Sequence, residues 1–257
     1  MFELLIAQFK WSWIQTKRYI HEVFAGIIAL TVTFYGLFLS IGYVAGGGFK
    51  FGDRLDAVIV GYILWSLVIF IMNGIPSTVQ QEAQVGTLEQ LFISPFSATQ
   101  ILLMRALSSL TIQCILISVV LFIIMLLTGR WLAFPPTIVF PLISVILGAY
   151  GLAFSIGGLA LIFKSIQQLA GIFNFALLFV LTIPTETWTG LQHLIGFLVP
   201  MTTGAGILRN LMARQESLDI GLLSVALLNG LIYFTIGITL FRWAERETKR
   251  RGKLGGY

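Results

Sequence analysis

Long apolar runs, separated by short polar stretches, make up most of the chain. A helix rises about 1.5 Å per residue, so roughly 20 apolar residues cross a hydrocarbon core about 30 Å thick. Six runs reach or approach that length, and the shortest, with 18 residues, is near the lower limit. We predict six membrane-spanning helices, at residues 24–44, 56–79, 101–127, 137–163, 166–183 and 220–241. The predicted fold class is therefore all-α, with residues 1–257 forming one polytopic membrane domain.

Residues 1–20 have a different pattern, because apolar and aromatic side chains recur at helical spacing and basic ones lie at other angles. Aromatic and apolar residues on one face and bases on another suit a helix that lies in the headgroup plane. We therefore predict an N-terminal interfacial helix rather than a span. Its apolar face, at spacings of three and four, consists of Phe2, Leu5, Phe9 and Trp13.

Small residues recur every four positions in the fourth predicted span, at Ala149, Ala153 and Gly157. Such spacing lets two helix backbones approach closely in lipid. The neighbouring helix lies either within the chain or in a second subunit.

Residues 80–97 form the one sizeable polar segment between the second and third spans. Their pattern predicts a short surface helix, capped by Ser77 or Thr78 and ended by Pro95. Gly86 is unfavourable inside a helix, so it indicates a bend or the close approach of another backbone. A solvated loop with ordinary surface glutamates has the same pattern.

The composition is that of an integral membrane protein, with 57% hydrophobic and 11% charged residues against roughly 25% charged in a soluble domain. The net charge of +5 does not indicate nucleic acid, because the charges lie outside the apolar runs. Of the 16 Lys and Arg residues, 11 fall on the side of the two termini and 5 on the other side. This bias predicts cytoplasmic termini, a cytoplasmic segment at residues 80–97, and a basic cytoplasmic tail at residues 242–257.

Several kinds of chemistry are missing from the sequence. No Asp, Glu, Lys or Arg lies in the middle of a predicted span, which argues against an ion-driven carrier and against a voltage sensor. The spans also have no ring of charged residues and no recognisable filter, which argues against a channel. The chain has no P-loop motif, and its two histidines fall on opposite sides of the membrane, so no metal pair is predicted. The single Cys114 has no partner for a disulfide within the chain. We therefore predict no catalytic residues, no metal and no enzyme activity in this chain.

The polar segment also carries a specific motif, formed by Glu82, the run Gly86-Thr87-Leu88-Glu89-Gln90-Leu91, and Ser94-Pro95. It resembles the E-x3-GTLEQL-x2-SP element of the permeases of type 2 ATP-binding-cassette (ABC) exporters. In that family the segment is the coupling helix, which fits into a cleft on a separate ATPase subunit. The resemblance implies that the ATPase is contacted by Glu82, Gly86, Thr87, Leu88, Glu89 and Gln90.

Residues 184–209 are too apolar for a free loop and too short and interrupted to span, so we predict short helices that dip into the outer leaflet. Permeases of the resembled family have a re-entrant hairpin here. Pro200-Met201-Thr202 and Ile207-Leu208-Arg209 are similar to a family motif, although Val199 stands where many members have Asn. The candidate hairpin residues are Trp188, Pro200, Thr202 and Arg209.

The resemblance also implies the partners. Two ATPase copies would bind ATP and Mg²⁺, no cofactor would bind to this chain, and a second permease copy, expected to be identical, would complete the pathway in the bacterial inner membrane. Family cargo includes drugs, lipids and lipid-linked glycans, and the lack of charges within the spans favours an amphiphilic cargo. First and fifth spans would wall the pathway, where the candidate lining residues are Phe34, Tyr35, Phe38 and Asn174. Aromatic residues of this kind also form lipid-facing belts.

A second interpretation is a non-transporting six-span membrane protein, such as an assembly scaffold or an immunity factor. Such a protein has no need of Glu82 and Glu89. The two interpretations differ in the expected partner, since residues 55–104 contain both glutamates but no Lys or Arg. An acidic cytoplasmic loop of this kind favours a basic docking partner, although it also arises by chance.

Overall fold

The computed structural model describes residues 2–44, 52–163, 167–182, 196 and 198–250. The chain is all-α, with no strand in these ranges. A short 3-10 turn at Pro136–Ile138 precedes the sixth helix. The helices are α1 (Phe2–Arg18), α2 (Ile20–Val44), α3 (Gly52–Val85), α4 (Leu88–Ile93), α5 (Ala98–Thr128), α6 (Val139–Phe163), α7 (Gln167–Thr182), α8 (Thr202–Ala213) and α9 (Ile220–Arg250).

Within the described residues, five helical segments are long and apolar enough to cross a membrane. They are Ile20–Leu37, Leu55–Val85, Ala98–Thr128, Pro136–Phe163 and Ile220–Arg250. The fifth predicted span, residues 166–183, corresponds to α7, whose apolar stretch Gly171–Leu181 is shorter than these five. The chain is therefore a helical membrane protein, whose described part includes five such helices and one shorter apolar helix.

Helix α3 is longer than the second predicted span, residues 56–79. Its apolar window Leu55–Val85 has 31 residues, so at ~1.5 Å per residue it is longer than a hydrocarbon core about 30 Å thick. The predicted cap at Ser77 or Thr78 is wrong. Both hydroxyls instead donate to the carbonyl of Gly74, at 3.0 and 2.8 Å, within a helix that continues. Hydroxyls that bond back to the preceding turn satisfy themselves without ending the helix.

Helix α5 begins three residues earlier than the predicted start at residue 101. Ser97 accepts a hydrogen bond from the Gln100 amide, and the Gln100 side chain accepts one from the Ser97 amide. This reciprocal capping box satisfies two amide donors that a helix start leaves free. At the other end, Gly129 adopts a left-handed φ of 66° and stops the helix.

The centre of the fold is the contact between α6 and α9, which confirms close approach at the small residues of α6. Ala149 and Ala153 are fully buried. A Cβ added at Gly151 would collide with the backbone of Tyr233, and one added at Gly237 would collide with the carbonyl of Gly151. The small residues of α6 thus pack within the chain, which answers the choice left open by the sequence.

Helix α8 also packs on α6, because a Cβ at Gly204 would collide with the Ser144 hydroxyl. The predicted hairpin spans residues 184–209. Helix α8 forms its second part and continues beyond it to Ala213. The first part, including Trp188, lies outside the described residues. Helix α9 likewise continues beyond the predicted end of the sixth span at residue 241, so the described part of the basic tail is helical.

Candidate functional site

The segment that carries the motif is not the single helix predicted for residues 80–97. Helix α3 runs to Val85, Gly86 turns the chain with a left-handed φ of 78°, and Thr87 begins the short helix α4. The Gly86 amide donates to the Ala83 carbonyl at 3.3 Å, and the Thr87 amide donates to the Glu82 carbonyl at 2.9 Å. These two bonds form a Schellman motif, which favours glycine at the left-handed position. The segment is therefore the end of a long helix, a tight turn and one short helix.

Pro95 ends the segment as predicted. Helix α4 stops at Ile93, and Ser94 is extended, with φ −54° and ψ 148°. A proline restricts the preceding residue to this region, so the helix cannot pass through Ser94. The backbone geometry at both ends of α4 thus follows from Gly86 and Pro95.

A tether of four side chains holds this segment against the rest of the chain. Arg105 Nη1 on α5 donates to Glu82 Oε1 at 2.8 Å, and Thr87 Oγ1 donates to Glu82 Oε2. The Arg105 guanidinium also lies 5.5 Å from the ring centroid of Trp11 on α1. Both carboxylate oxygens of Glu82 are therefore used within the chain, and three helices meet at one ion pair.

The remaining motif residues divide into an inward and an outward set. Leu88 is buried in the hydrophobic core, whereas Val85 and Ile93 are 75% and 82% exposed. Gly86 and Gln90 are exposed as well. The side chain of Glu89 lies outside the described part of the structure. Val85 and Ile93 are thus large apolar side chains left exposed on this polar segment.

The charge of this region is smaller than the sequence indicates. Glu82 is neutralised by Arg105, which is the first basic residue after the stretch without Lys or Arg. Of the two glutamates in the predicted acidic loop, Glu82 is therefore compensated within the chain, and the side chain of Glu89 lies outside the described residues.

Among the candidate pathway residues, Phe34 is buried, with 1% exposure. Its ring centroid lies 5.6 Å from that of Tyr35 and 5.2 Å from that of Tyr62 on α3. Tyr62 donates its hydroxyl to the carbonyl of Leu30 at 2.6 Å, which joins α3 to α2. The side chain of Phe38 lies outside the described part. Phe34 is therefore covered by α3 within a single chain.

Asn174, the other candidate, belongs to a polar contact between α7 and α3. Its carbonyl accepts a hydrogen bond from Trp65 Nε1 at 3.3 Å, and its Nδ2 is 3.5 Å from Asn73 Oδ1. The rings of Tyr62 and Trp65 lie 5.6 Å apart, so one aromatic strip on α3 meets both α2 and α7. The sequence reasoning missed this strip, although aromatic residues three apart on one helix face were its signal.

The described hairpin residues serve as structural contacts. At the start of α8, which begins two residues after Pro200, Thr202 donates its hydroxyl to the carbonyls of Gly196 and Val199. Arg209 is buried, with 1% exposure, and its Nη1 donates to the Leu181 carbonyl at 2.6 Å. Since Leu181 lies in the last turn of α7, this cation satisfies a carbonyl that the helix end leaves free.

No group of three or more His, Cys, Asp or Glu side chains that could hold a metal occurs among the described residues. The fold and the exposed segment define a polytopic helical membrane protein whose polar loop is held in place by the chain itself. Comparison with known proteins finds no family model that matches the chain and no matching curated protein.

Proposed function

We propose that this chain is the permease subunit of an ATP-driven exporter, similar to the type 2 ABC class. The observation that carries the proposal is the division of the motif segment. Leu88 and the Glu82–Arg105 tether anchor the segment, while Val85, Gln90 and Ile93 face outward. A rigidly held short helix with exposed apolar residues is the arrangement that a mechanical contact with another subunit requires.

In this proposal the ATPase contacts come from Gly86, Glu89 and Gln90, together with Val85 and Ile93. Glu82 has a positioning role, because Arg105 and Thr87 already occupy both of its oxygens. Closure of the ATPase pair would push α4, and the tether would pass this movement to α3, α5 and α1. Such coupling needs two arrangements of the helices that the ATPase and the cargo bind differently.

The proposal includes six spans, with α7 as the fifth, and a re-entrant hairpin before α9. Two permease copies and two ATPase copies form the exporter, and ATP and Mg²⁺ bind to the ATPase. The chain lies in the bacterial inner membrane, and both of its termini are in the cytoplasm. The cargo is amphiphilic, which means a drug, a lipid or a lipid-linked glycan.

The test is purification of the chain from its native membrane in mild detergent, followed by an assay for bound ATPase. Ile93→Asp places a charge on Ile93, which is 82% exposed, and Glu89→Lys reverses the charge of the motif glutamate. Trp131→Asp is the matched control, because Trp131 is also exposed, at 67%, but follows the opposite end of α5. We expect equal amounts of permease and ATPase from the wild type and from Trp131→Asp, and loss of the ATPase from both segment variants.

The scaffold interpretation predicts a different result. A chain that purifies without any ATPase at low salt, or variants that retain the ATPase fully, would contradict the exporter proposal. Protein yield and thermal midpoint of each variant must match those of the wild type, so that loss of ATPase is not loss of folding.

A further inference from the structure

Two adjoining cavities lie between the first two helices and the α3–α5 pair. The larger has a volume of about 430 Å³ and lies between α1, α2 and α5. The smaller, of about 230 Å³, lies between α1, α3 and α5. Gln15, Phe70 and Ser109 line both cavities, so the two join at these residues. The larger volume falls in the range of about 300–1,000 Å³ that is usual for small-molecule sites.

The larger cavity changes from polar to apolar along its length. Near α1 it is lined by Ser12 and Thr16, and further along α2 and α5 by Ile27, Leu30 and Val120. The α5 lining runs from Ser109 to Val120, which is about 16 Å at 1.5 Å per residue. A polar end beside an amphipathic helix and a long apolar slot match a lipid, with a headgroup at one end and an acyl chain in the slot.

One residue that lines the smaller cavity, Arg105, has a hydrogen-bond donor that is not used. Arg105 Nε is buried and has no acceptor among the described residues, although Nη1 of the same guanidinium is paired with Glu82. A buried donor without an acceptor is costly, and a charged donor forms its strongest bonds with phosphate or carboxylate oxygens. Arg105 lines the cavity, so a small rotation of its side chain would turn this buried donor toward a phosphate group that enters there.

The charges of the lining favour a headgroup that is neutral overall. The basic residue of the lining is Arg105, in the smaller cavity, and Glu82 already offsets its charge. Glu22 is the acidic residue of the lining and belongs to the larger cavity. An ammonium group is therefore as well matched here as a phosphate, whereas an anionic headgroup would meet an uncompensated carboxylate.

We propose that the two cavities form one site for a zwitterionic phospholipid of the surrounding leaflet, with its phosphate at Arg105 and one acyl chain between α2 and α5. The lipid is a resident component that fills the gap between α1–α2 and the rest of the fold. The proposal requires only that the chain lies in a membrane, so it is independent of the exporter function.

The test uses the full-length chain, purified in detergent and stripped of lipid by extended washing. Dioleoyl phosphatidylethanolamine, dioleoyl phosphatidylglycerol and inorganic phosphate are added back separately. Native mass spectrometry measures bound lipid, and the thermal midpoint measures stabilisation. Wild type should retain phosphatidylethanolamine in preference to phosphatidylglycerol, and phosphate alone should leave the midpoint unchanged.

Two variants test the two parts of the site. Gly26→Leu fills the apolar slot, because Gly26 lines it and nothing lies within 4 Å of an added Cβ. Ala25→Leu is the matched control, since Ala25 is exposed on the same helix and is not part of the lining. Arg105→Lys keeps a positive charge opposite Glu82 but removes the Nε donor. Gly26→Leu and Arg105→Lys should each lower lipid retention by about tenfold, whereas Ala25→Leu should leave it unchanged.

Equal retention by Gly26→Leu and wild type would overturn the placement of the acyl chain. A preference for phosphatidylglycerol would overturn the assignment of the headgroup. Stabilisation by inorganic phosphate alone, as large as that by phospholipid, would identify a free-anion site instead.

Discussion

Arg105 Nη1 lies 2.8 Å from Glu82 Oε1, and this ion pair joins the end of α3 to the start of α5 across the motif segment. The two side chains are 26% and 21% exposed, so water screens their attraction only in part. Thr87, the first residue after the turn, bonds to the same carboxylate. One glutamate thus holds the start of α4 against both α3 and α5.

Replacing that glutamate should loosen the segment. Glu82→Gln keeps the shape of the side chain but removes the charge that Arg105 faces, so we expect a loss of about 1 kcal/mol, between the values for exposed and buried pairs. The thermal midpoint in detergent should fall by about 2–4 °C, and a double-mutant cycle with Arg105→Gln isolates the pair energy.

The matched control for this pair is Glu245→Gln on α9. Glu245 pairs with Lys249 at 2.8 Å one turn away, and the lysine is 42% exposed. Pairs of this kind within one helix contribute roughly 0.3–0.5 kcal/mol. A midpoint change at Glu82 no larger than that at Glu245 would show that the tether has no special role.

The contact between α6 and α9 should tolerate larger side chains less well than any other part of the described core. Gly237→Ala places a methyl group against the carbonyl of Gly151, and neither backbone can move without separating the helices. We expect a loss of about 1–3 kcal/mol, or failure to accumulate in the membrane. Gly171→Ala is the control, because nothing lies within 4 Å of its added Cβ, and it should be neutral or slightly stabilising. Expression level and thermal midpoint are the measurements, and equal effects of the two changes would contradict this close approach.

The apolar helices could be placed from the sequence because length and hydropathy alone define a span. The fourth predicted span, residues 137–163, differs from α6 by two residues at its start. The ends moved where local hydrogen bonds decide them. Ser97 and Gln100 extend α5, and their S-x-x-Q spacing was a readable signal. Helix α3 continues past residue 79 because hydropathy marks where the lipid ends and does not mark where a helix ends.

The candidate site was located by its motif, but its internal contacts were beyond the sequence. Glu82 and Arg105 are 23 residues apart, and their pairing depends on how α3 and α5 pack. The burial of Arg209 is a similar case. It stands in a segment predicted to dip into the outer leaflet, yet its guanidinium is enclosed at the end of α7. Contacts between helices depend on the tertiary arrangement, and the periodicity along one helix does not predict that arrangement.

Arg209 should therefore be sensitive even to a conservative change. Arg209→Lys keeps the charge but loses the planar set of donors that reaches the Leu181 carbonyl, and lysine is the more strongly hydrated cation. We expect a loss of about 2–4 kcal/mol, since a buried charge would lose part of its hydrogen bonding. Arg214→Lys is the control, because Arg214 is exposed and bonds to Asn210 one turn away. The thermal midpoints of the two variants should differ clearly, and equal midpoints would show that the buried contact is not specific to arginine.

Substitutions at two glycines with positive φ can distinguish an effect on stability from an effect on ATPase binding. Gly86 has φ 78° before α4, and Gly129 has φ 66° at the opposite end of α5. A valine at either position must adopt a conformation that costs an L-residue roughly 1–2 kcal/mol, so both Gly86→Val and Gly129→Val should lower the thermal midpoint by a similar amount. If the motif segment docks on an ATPase, only Gly86→Val should also reduce the bound ATPase, because it alone redirects α4. Loss of the ATPase from both variants in proportion to their midpoints would mean that folding, and not the position of α4, controls the association.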